Sequence, residues 1–178
     1  MTFVVVAPYV EVTQSLAAHP ISHVISILGD SDKLDWPDTG KRSVLRLKFD
    51  DVGYSSGDLK GPTRETIEQL IEFARDWGGH SNLLVHCRAG TSRSPAAALI
   101  ALAAVPRLNT IGNFERLINA KAYYRPNSTM LRLADSLLEP SPDLLEVSKR
   151  SRARIEVDDV TLALVELDEP ASLFSTPP

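Results

Sequence analysis

The segment Leu84-Val85-His86-Cys87-Arg88-Ala89-Gly90-Thr91-Ser92-Arg93-Ser94-Pro95 constrains the chain more than any other. Its apolar start reads as a strand, its middle as a tight loop around Gly90, and its end as a helix with Pro95 in the first turn, where proline is tolerated. A loop folded back on itself ahead of a helix points successive backbone N–H groups inward, and the helix dipole adds partial positive charge at the same place. The segment is therefore an anion trap. Cys87 opens the loop, so its sulfur shares the field that holds the anion, and that field favours thiolate over thiol. Arg93 closes the loop, where a planar guanidinium can bind two oxygens of a phosphoryl group and hold phosphorus in line with the sulfur.

Around this segment the apolar runs Phe3 to Val6, Val24 to Leu28, Val44 to Phe49 and Leu83 to His86 alternate with helical patterns. They predict an α/β fold with a central, mostly parallel sheet of about four or five strands flanked by helices. Ile67, Leu70, Ile71, Ala74 and Trp77 recur on one helical face, with Pro62-Thr63 at the start and Gly78-Gly79 at the end. Ser94 to Val105 is apolar on nearly all sides, as a central helix buried by neighbours would be, and Pro106 ends it. Two amphipathic helices follow, roughly Thr110 to Ala122 and Thr129 to Leu138. The prolines of Glu139-Pro140-Ser141-Pro142 end the expected catalytic domain, residues 1–139. Residues 140–178 form a C-terminal extension, first basic (Lys149, Arg150, Arg152, Arg154), then acidic (Glu156, Asp158, Asp159, Glu166, Asp168, Glu169). Within it Asp159 to Leu167 is apolar enough for an added strand, folded on the domain or loose, and the stretch from Phe174 to Pro178 is expected to be disordered. The acidic stretch could pair with the basic one or lie near the anion-binding mouth.

The net charge of −4 over 178 residues provides no global positive field, so neither nucleic acid nor membrane is an expected partner. One cysteine permits no intramolecular disulfide, and His19, His23, His80 and His86 show no ligand spacing, so neither metal nor cofactor is implied. The run Phe3 to Ala7 is too short to span a bilayer and has no basic region before it; a cytoplasmic protein is expected.

The string His86-Cys87, five residues, Arg93-Ser94 resembles the signature of the cysteine-based protein tyrosine phosphatase superfamily, and matches it completely. The layout is nearest its compact dual-specificity members, since the low-molecular-weight class carries the signature near its N-terminus. The resemblance implies a phosphatase that hydrolyses phosphate monoesters through a phosphocysteine intermediate, with Cys87 as nucleophile. It makes Arg88, Ala89, Gly90, Thr91, Ser92 and Arg93 the substrate-binding loop, and Ser94 the hydroxyl that eases departure of the sulfur. It gives His86 the role of steadying the loop through hydrogen bonds, and Asn127 of Arg125-Pro126-Asn127 the role of bracing it from the last helix.

A leaving oxygen needs a proton that neither Cys87 nor Arg93 can give. The family takes it from an aspartate on the loop after the strand preceding the signature strand, here Asp50-Asp51. Aligning Leu45 to Phe49 favours Asp51 over Asp50, with Asp58 a distant third. Lipid phosphatases of the family carry lysines inside the loop, where this chain has Ala89, Gly90 and Thr91. The implied substrate is thus phosphotyrosine, with or without phosphoserine and phosphothreonine, on a protein or in a small phosphate ester, and Tyr54 within Gly53 to Gly57 is a candidate wall of its site. Three rival readings remain: a phosphoprotein-binding pseudophosphatase, a phosphatase for a non-protein ester, and a sulfurtransferase-like enzyme.

Overall fold

Five strands form one sheet in the computed structural model of the protein, which describes residues 2–121, 123–138, 143–149 and 163–168. They are β1 (Phe3–Pro8), β2 (Ile21–Ile27), β3 (Ser43–Leu47), β4 (Asn82–Cys87) and β5 (Ala163–Glu166), in the order β3-β2-β4-β1-β5. The first four are parallel, and β5 runs antiparallel to β1. The helices are α1 (Val12–Ala18), α2 (Arg64–Trp77), α3 (Arg93–Ala104), α4 (Ile111–Asn119), α5 (Ser128–Asp135) and α6 (Leu144–Lys149). The expected mostly parallel sheet with flanking helices is the one observed.

Strand alternation sorts the side chains into two layers. Leu83, Val85 and Cys87 of β4 join Val4, Val6, Ile25 and Ile27 in a core covered by α2 to α6. Leu84 joins Val5, Ala7 and Val24 on the opposite face, under Val12 and Leu16 of α1. The central helix α3 lies in the thick layer with all twelve residues buried. Six of those twelve are alanine, whose small side chains let a helix lie close to sheet and neighbours at little entropic cost. The helix α2 begins where the Thr63 hydroxyl accepts the Thr66 N–H and ends at Gly78.

Thr110 caps α4, which ends at Asn119, short of the expected Ala122, and α5 is shorter than expected, closing at Asp135. The break at 139–142 lies outside the described residues. Beyond that break the core continues. Leu144 and Val147 of α6 are buried in the thick layer, as are Ala163, Val165 and Leu167. Asp135 accepts the Leu144 and Leu145 N–H groups at 2.8 and 3.2 Å, tying α6 to α5. Asn113 accepts the Asp168 N–H at 2.9 Å, and Arg116 pairs with Asp168 at 2.7 Å, tying β5 to α4. The added strand therefore folds on the domain.

Because β5 is antiparallel, Glu166 stands opposite Phe3 and the Leu167 N–H reaches the Thr2 carbonyl. Glu166 and Asp168 thus lie at the amino end of the parallel strands, the end opposite Cys87, so these two acids are not near the anion-binding mouth. The basic residues Arg150, Arg152 and Arg154, the acids Glu156, Asp158, Asp159 and Glu169, and the stretch from Phe174 fall outside the described residues. No helix among the described residues is long and apolar enough to cross a membrane.

The register of β5 makes a prediction. Val165 is buried and its neighbour Leu164 is 42% exposed. Val165→Asp is expected to lower the unfolding free energy by about 3 kcal/mol, and Leu164→Asp by less than about 0.5 kcal/mol. Urea denaturation of the two variants checks the register, and equal costs would place β5 elsewhere.

Candidate active site

The strand β4 delivers Cys87 to the carboxyl edge of the sheet, level with Pro8 of β1, and the chain then turns through residues 88–92 into α3. Three carbonyls of this loop are tied to neighbouring segments. The Arg88 carbonyl accepts the Tyr9 N–H at 3.0 Å, the Thr91 carbonyl the Arg125 N–H at 2.8 Å, and the Ser92 carbonyl the Asn127 N–H at 3.2 Å. In a planar trans peptide the following N–H points the opposite way. The Ala89, Ser92 and Arg93 N–H groups are thereby turned away from those tethers. Gly90 has φ +73°, and a Cβ there would stand 2.7 Å from the Pro8 nitrogen, so only glycine lets the loop pass this close to β1. Its N–H donates to Cys87 Sγ at 3.3 Å, and Ser94 Oγ lies 3.3 Å from the same sulfur. The Gly90 N–H and the Ser94 hydroxyl thus both meet the Cys87 sulfur.

Arg93 is held more firmly than the sequence suggested. Its Nη1 donates to Asp32 Oδ2 at 2.8 Å and to the Phe49 carbonyl at 2.9 Å, and its Nη2 donates to Asp32 Oδ1 at 3.1 Å. The pair is nearly sealed, with side-chain exposures of 3% and 5%. Arg93 Nε has no hydrogen-bond acceptor among the described residues and lies 3.9 Å from Asp51 Oδ2. Burial works to raise the pKa of Asp32, but the Arg93 hydrogen bonds, the Gly29 N–H and the charges of Arg93 and Arg88 together hold it below the ordinary carboxylate value. Sequence reasoning missed Asp32. It lies 61 residues from Arg93 in a short polar turn after β2, and nothing local ties it to the loop.

The two adjacent aspartates separate cleanly. Asp50 is buried and faces away, accepting the Ser31 N–H and hydroxyl at 3.0 and 2.5 Å and the Lys60 N–H at 2.8 Å. Burial opposes its ionisation, and these hydrogen bonds with the Arg93 charge overcome it, holding its pKa low. Asp51 faces the loop and is about one-third exposed, accepting Ser92 Oγ–H at 2.8 Å and Asn127 Nδ2–H at 3.0 Å. Of the two, only Asp51 lies beside the loop and Arg93. Asp58 lies beyond, in the exposed turn closed by Ser56 and Leu59.

Asn127 departs in part from expectation. It braces the loop through its backbone N–H, whereas its side chain holds Asp51 and caps α5, with Oδ1 accepting the Thr129 and Met130 N–H groups at 3.1 Å. His86 departs fully. Successive strand residues face opposite ways, so Cys87 points into the thick layer and the His86 ring into the other, beside Ser26 on β2. Neither ring nitrogen has a hydrogen-bond partner among the described residues, and the nearest aromatic contact is Tyr9, with ring centroids 6.2 Å apart. Burial, aided by the Arg93 charge and opposed by the Cys87 backbone, pushes the His86 pKa down to about 4.

No protein-family model matches the sequence, and no curated protein does. Solved structures do match the fold. The crystal structure of DUSP15 superposes with a TM-score of 0.57 at 18% identity, covering 86% of this chain and 92% of that one. The chain has the dual-specificity phosphatase fold. PTPMT1 in complex with PI(5)P shares this fold at a TM-score of 0.53 and 17% identity, over 80% of this chain and 88% of that one. So does a human tyrosine phosphatase-like serine/threonine/tyrosine-interacting protein, at 0.52 and 20%, over 74% and 84%. The phosphatase fold places the signature loop at the carboxyl edge of the sheet, where α/β proteins bind their ligands.

The buried imidazole gives a pH prediction. The folded protein keeps His86 neutral down to about pH 4, whereas the unfolded chain takes up that proton near 6.5. Between these values the unfolded state binds more protons, so stability falls as pH falls. The His86 contribution amounts to ~3 kcal/mol across this window. The difference in unfolding free energy between the wild type and His86→Gln is expected to change by that amount from pH 6.5 to 4. A constant difference would mean that His86 protonates freely in the folded protein.

Proposed function

We propose that the protein is a phosphoric monoester hydrolase of the cysteine-dependent type, acting on phosphotyrosine, with or without phosphoserine and phosphothreonine. The observation that carries this reading is the unsatisfied, buried Arg93 Nε–H at the end of a loop in which the Gly90 N–H and Ser94 Oγ meet Cys87 Sγ. A buried donor without a protein partner calls for an external acceptor, and a phosphoryl oxygen fits a guanidinium already oriented by Asp32.

In the first step Cys87 Sγ attacks phosphorus and the ester P–O bond breaks. The departing oxygen takes the proton of Asp51, which Ser92 and Asn127 hold in place. The inward N–H groups and Arg93 carry the charge on the equatorial oxygens throughout. In the second step Asp51 accepts a proton from a water, which attacks phosphorus. The P–S bond breaks, inorganic phosphate forms, and the sulfur leaves with the Ser94 hydroxyl donating to it. A nucleophile, a sulfur-stabilising hydroxyl, a clamp and an acid in one place favour turnover over binding alone. The loop residues Ala89, Gly90 and Thr91 provide no lysine for a second phosphate, which favours protein substrates over the phosphoinositide seen with PTPMT1.

Cys87→Ser is expected to abolish hydrolysis of aryl phosphates while still binding phosphate, because the loop persists and serine stays protonated. Asp51→Asn is expected to slow phenyl phosphate about 100-fold or more and nitrophenyl phosphate far less, since nitrophenolate leaves without a proton. Asp50→Asn is expected to lower stability with no such leaving-group dependence. Steady-state kinetics on the two esters decides the assignment, and retained turnover in Cys87→Ser would overturn the phosphocysteine route.

A further inference from the structure

A cleft of about 310 Å³ opens at the carboxyl ends of β2 and β3, one strand over from the phosphate loop. Two of its lining residues directly adjoin, in the chain, the residues that hold the Arg93 guanidinium. Lys33 directly follows Asp32, which grips Arg93, and Lys48 directly precedes Phe49, whose carbonyl accepts from Arg93. Lys33 is the one non-glycine residue with positive φ among the described residues, at +52°. Such strain concentrates at functional sites. This turn carries the chain from Asp32 at the guanidinium to Leu34 and Trp36 in the wall of the cleft. The Trp36 ring is pinned by Arg46, whose guanidinium carbon lies 6.0 Å from the ring centroid.

We propose that this cleft, walled by Leu28, Leu34 and Trp36, is a subsite for an apolar side chain next to the phosphorylated residue of a protein substrate. The proposal rests on the phosphatase reading above. The cleft is large enough for an aliphatic or aromatic side chain, and Lys33 and Lys48 in its lining adjoin the two groups that hold Arg93, which places it beside the phosphate site. The charges in its lining cancel, Lys33 and Lys48 against Asp30 and Asp35, with Lys48 paired to Asp30 at 2.6 Å. An anionic bilayer is drawn by net positive charge, which this lining does not present. Exposed apolar side chains favour a protein partner as well. Of the six large ones among the described residues, Val10, Leu34, Tyr54 and Leu59 stand on the loops that leave β1, β2 and β3 at this end of the sheet.

The test uses phosphotyrosine peptides matched except for Leu or Ala beside the phosphotyrosine, with nitrophenyl phosphate as the ester that reaches only the loop. Wild type is expected to show a KM at least fivefold lower for the Leu peptides. Trp36→Ala and Leu34→Ala are each expected to reduce that preference below twofold and to leave nitrophenyl phosphate hydrolysis unchanged. Leu34 is 38% exposed, so its truncation leaves the fold intact if Trp36→Ala does not. Trp77 is buried, so peptide-dependent emission changes in Cys87→Ser report on Trp36, and the Leu peptide is expected to produce one that inorganic phosphate does not. Equal KM values for the Leu and Ala peptides, or a preference surviving both substitutions, would overturn the subsite. So would a preference for phosphoinositide vesicles over both peptides. Failure of wild type to hydrolyse nitrophenyl phosphate would instead strike the phosphatase reading, and the Cys87→Ser titration would still decide the subsite.

Discussion

The guanidinium of Arg93 is the point through which the functional end of the molecule is held together. It joins the first turn of α3 to the turn after β2 through Asp32, and to the loop after β3 through the Phe49 carbonyl. A buried ion pair of this kind contributes little net stability, because desolvation of both ions offsets their attraction. Its value lies in orientation. With Nη1 and Nη2 engaged by Asp32 the plane of the guanidinium is fixed, and Nε is left without an acceptor among the described residues, 3.9 Å from Asp51 Oδ2. Charge that is already positioned costs no reorganisation when an anion arrives.

Fixing those two loops also divides the work of Asp50 and Asp51. Asp50 closes the turn after β2 onto the loop after β3 by accepting from Ser31 and Lys60, and the approach is so close that a Cβ on Gly29 would lie 2.2 Å from Asp50 Oδ1. With Asp50 anchored, the next side chain projects the other way, toward Ser92 and Asn127. Two residues that look alike in the chain thus become a buried brace and a group poised beside the anion site.

The loop itself is shaped from both sides. Tyr9 after β1 and the Arg125–Asn127 segment before α5 take its carbonyls, and Pro8 crowds Gly90. The alanine-rich α3 lets this assembly sit on the sheet with its N-terminus aimed at the same place. The thick layer of five helices therefore backs the site, and among the described residues α1 covers the opposite face, where the His86 ring is buried.

The sequence by itself determined the strand-loop-helix segment and the parallel sheet, because each depends on local spacing: period two in strands, one helical face per turn, glycine where the backbone must turn left; the role of Ser94 came from the resemblance of the signature. It placed the edge strand among its options for residues 159–167, and it ranked Asp51 above Asp50 by alignment. Tertiary structure alone decided the rest. That Asp32 grips Arg93, that Asn127 spends its side chain on Asp51, and that α6 and β5 complete the core follow from contacts between segments tens of residues apart, which no local pattern encodes. His86 shows the same limit from the other side. The resemblance of the signature implied a share in steadying the loop, and the alternation of β4 turned it to the opposite face of the sheet.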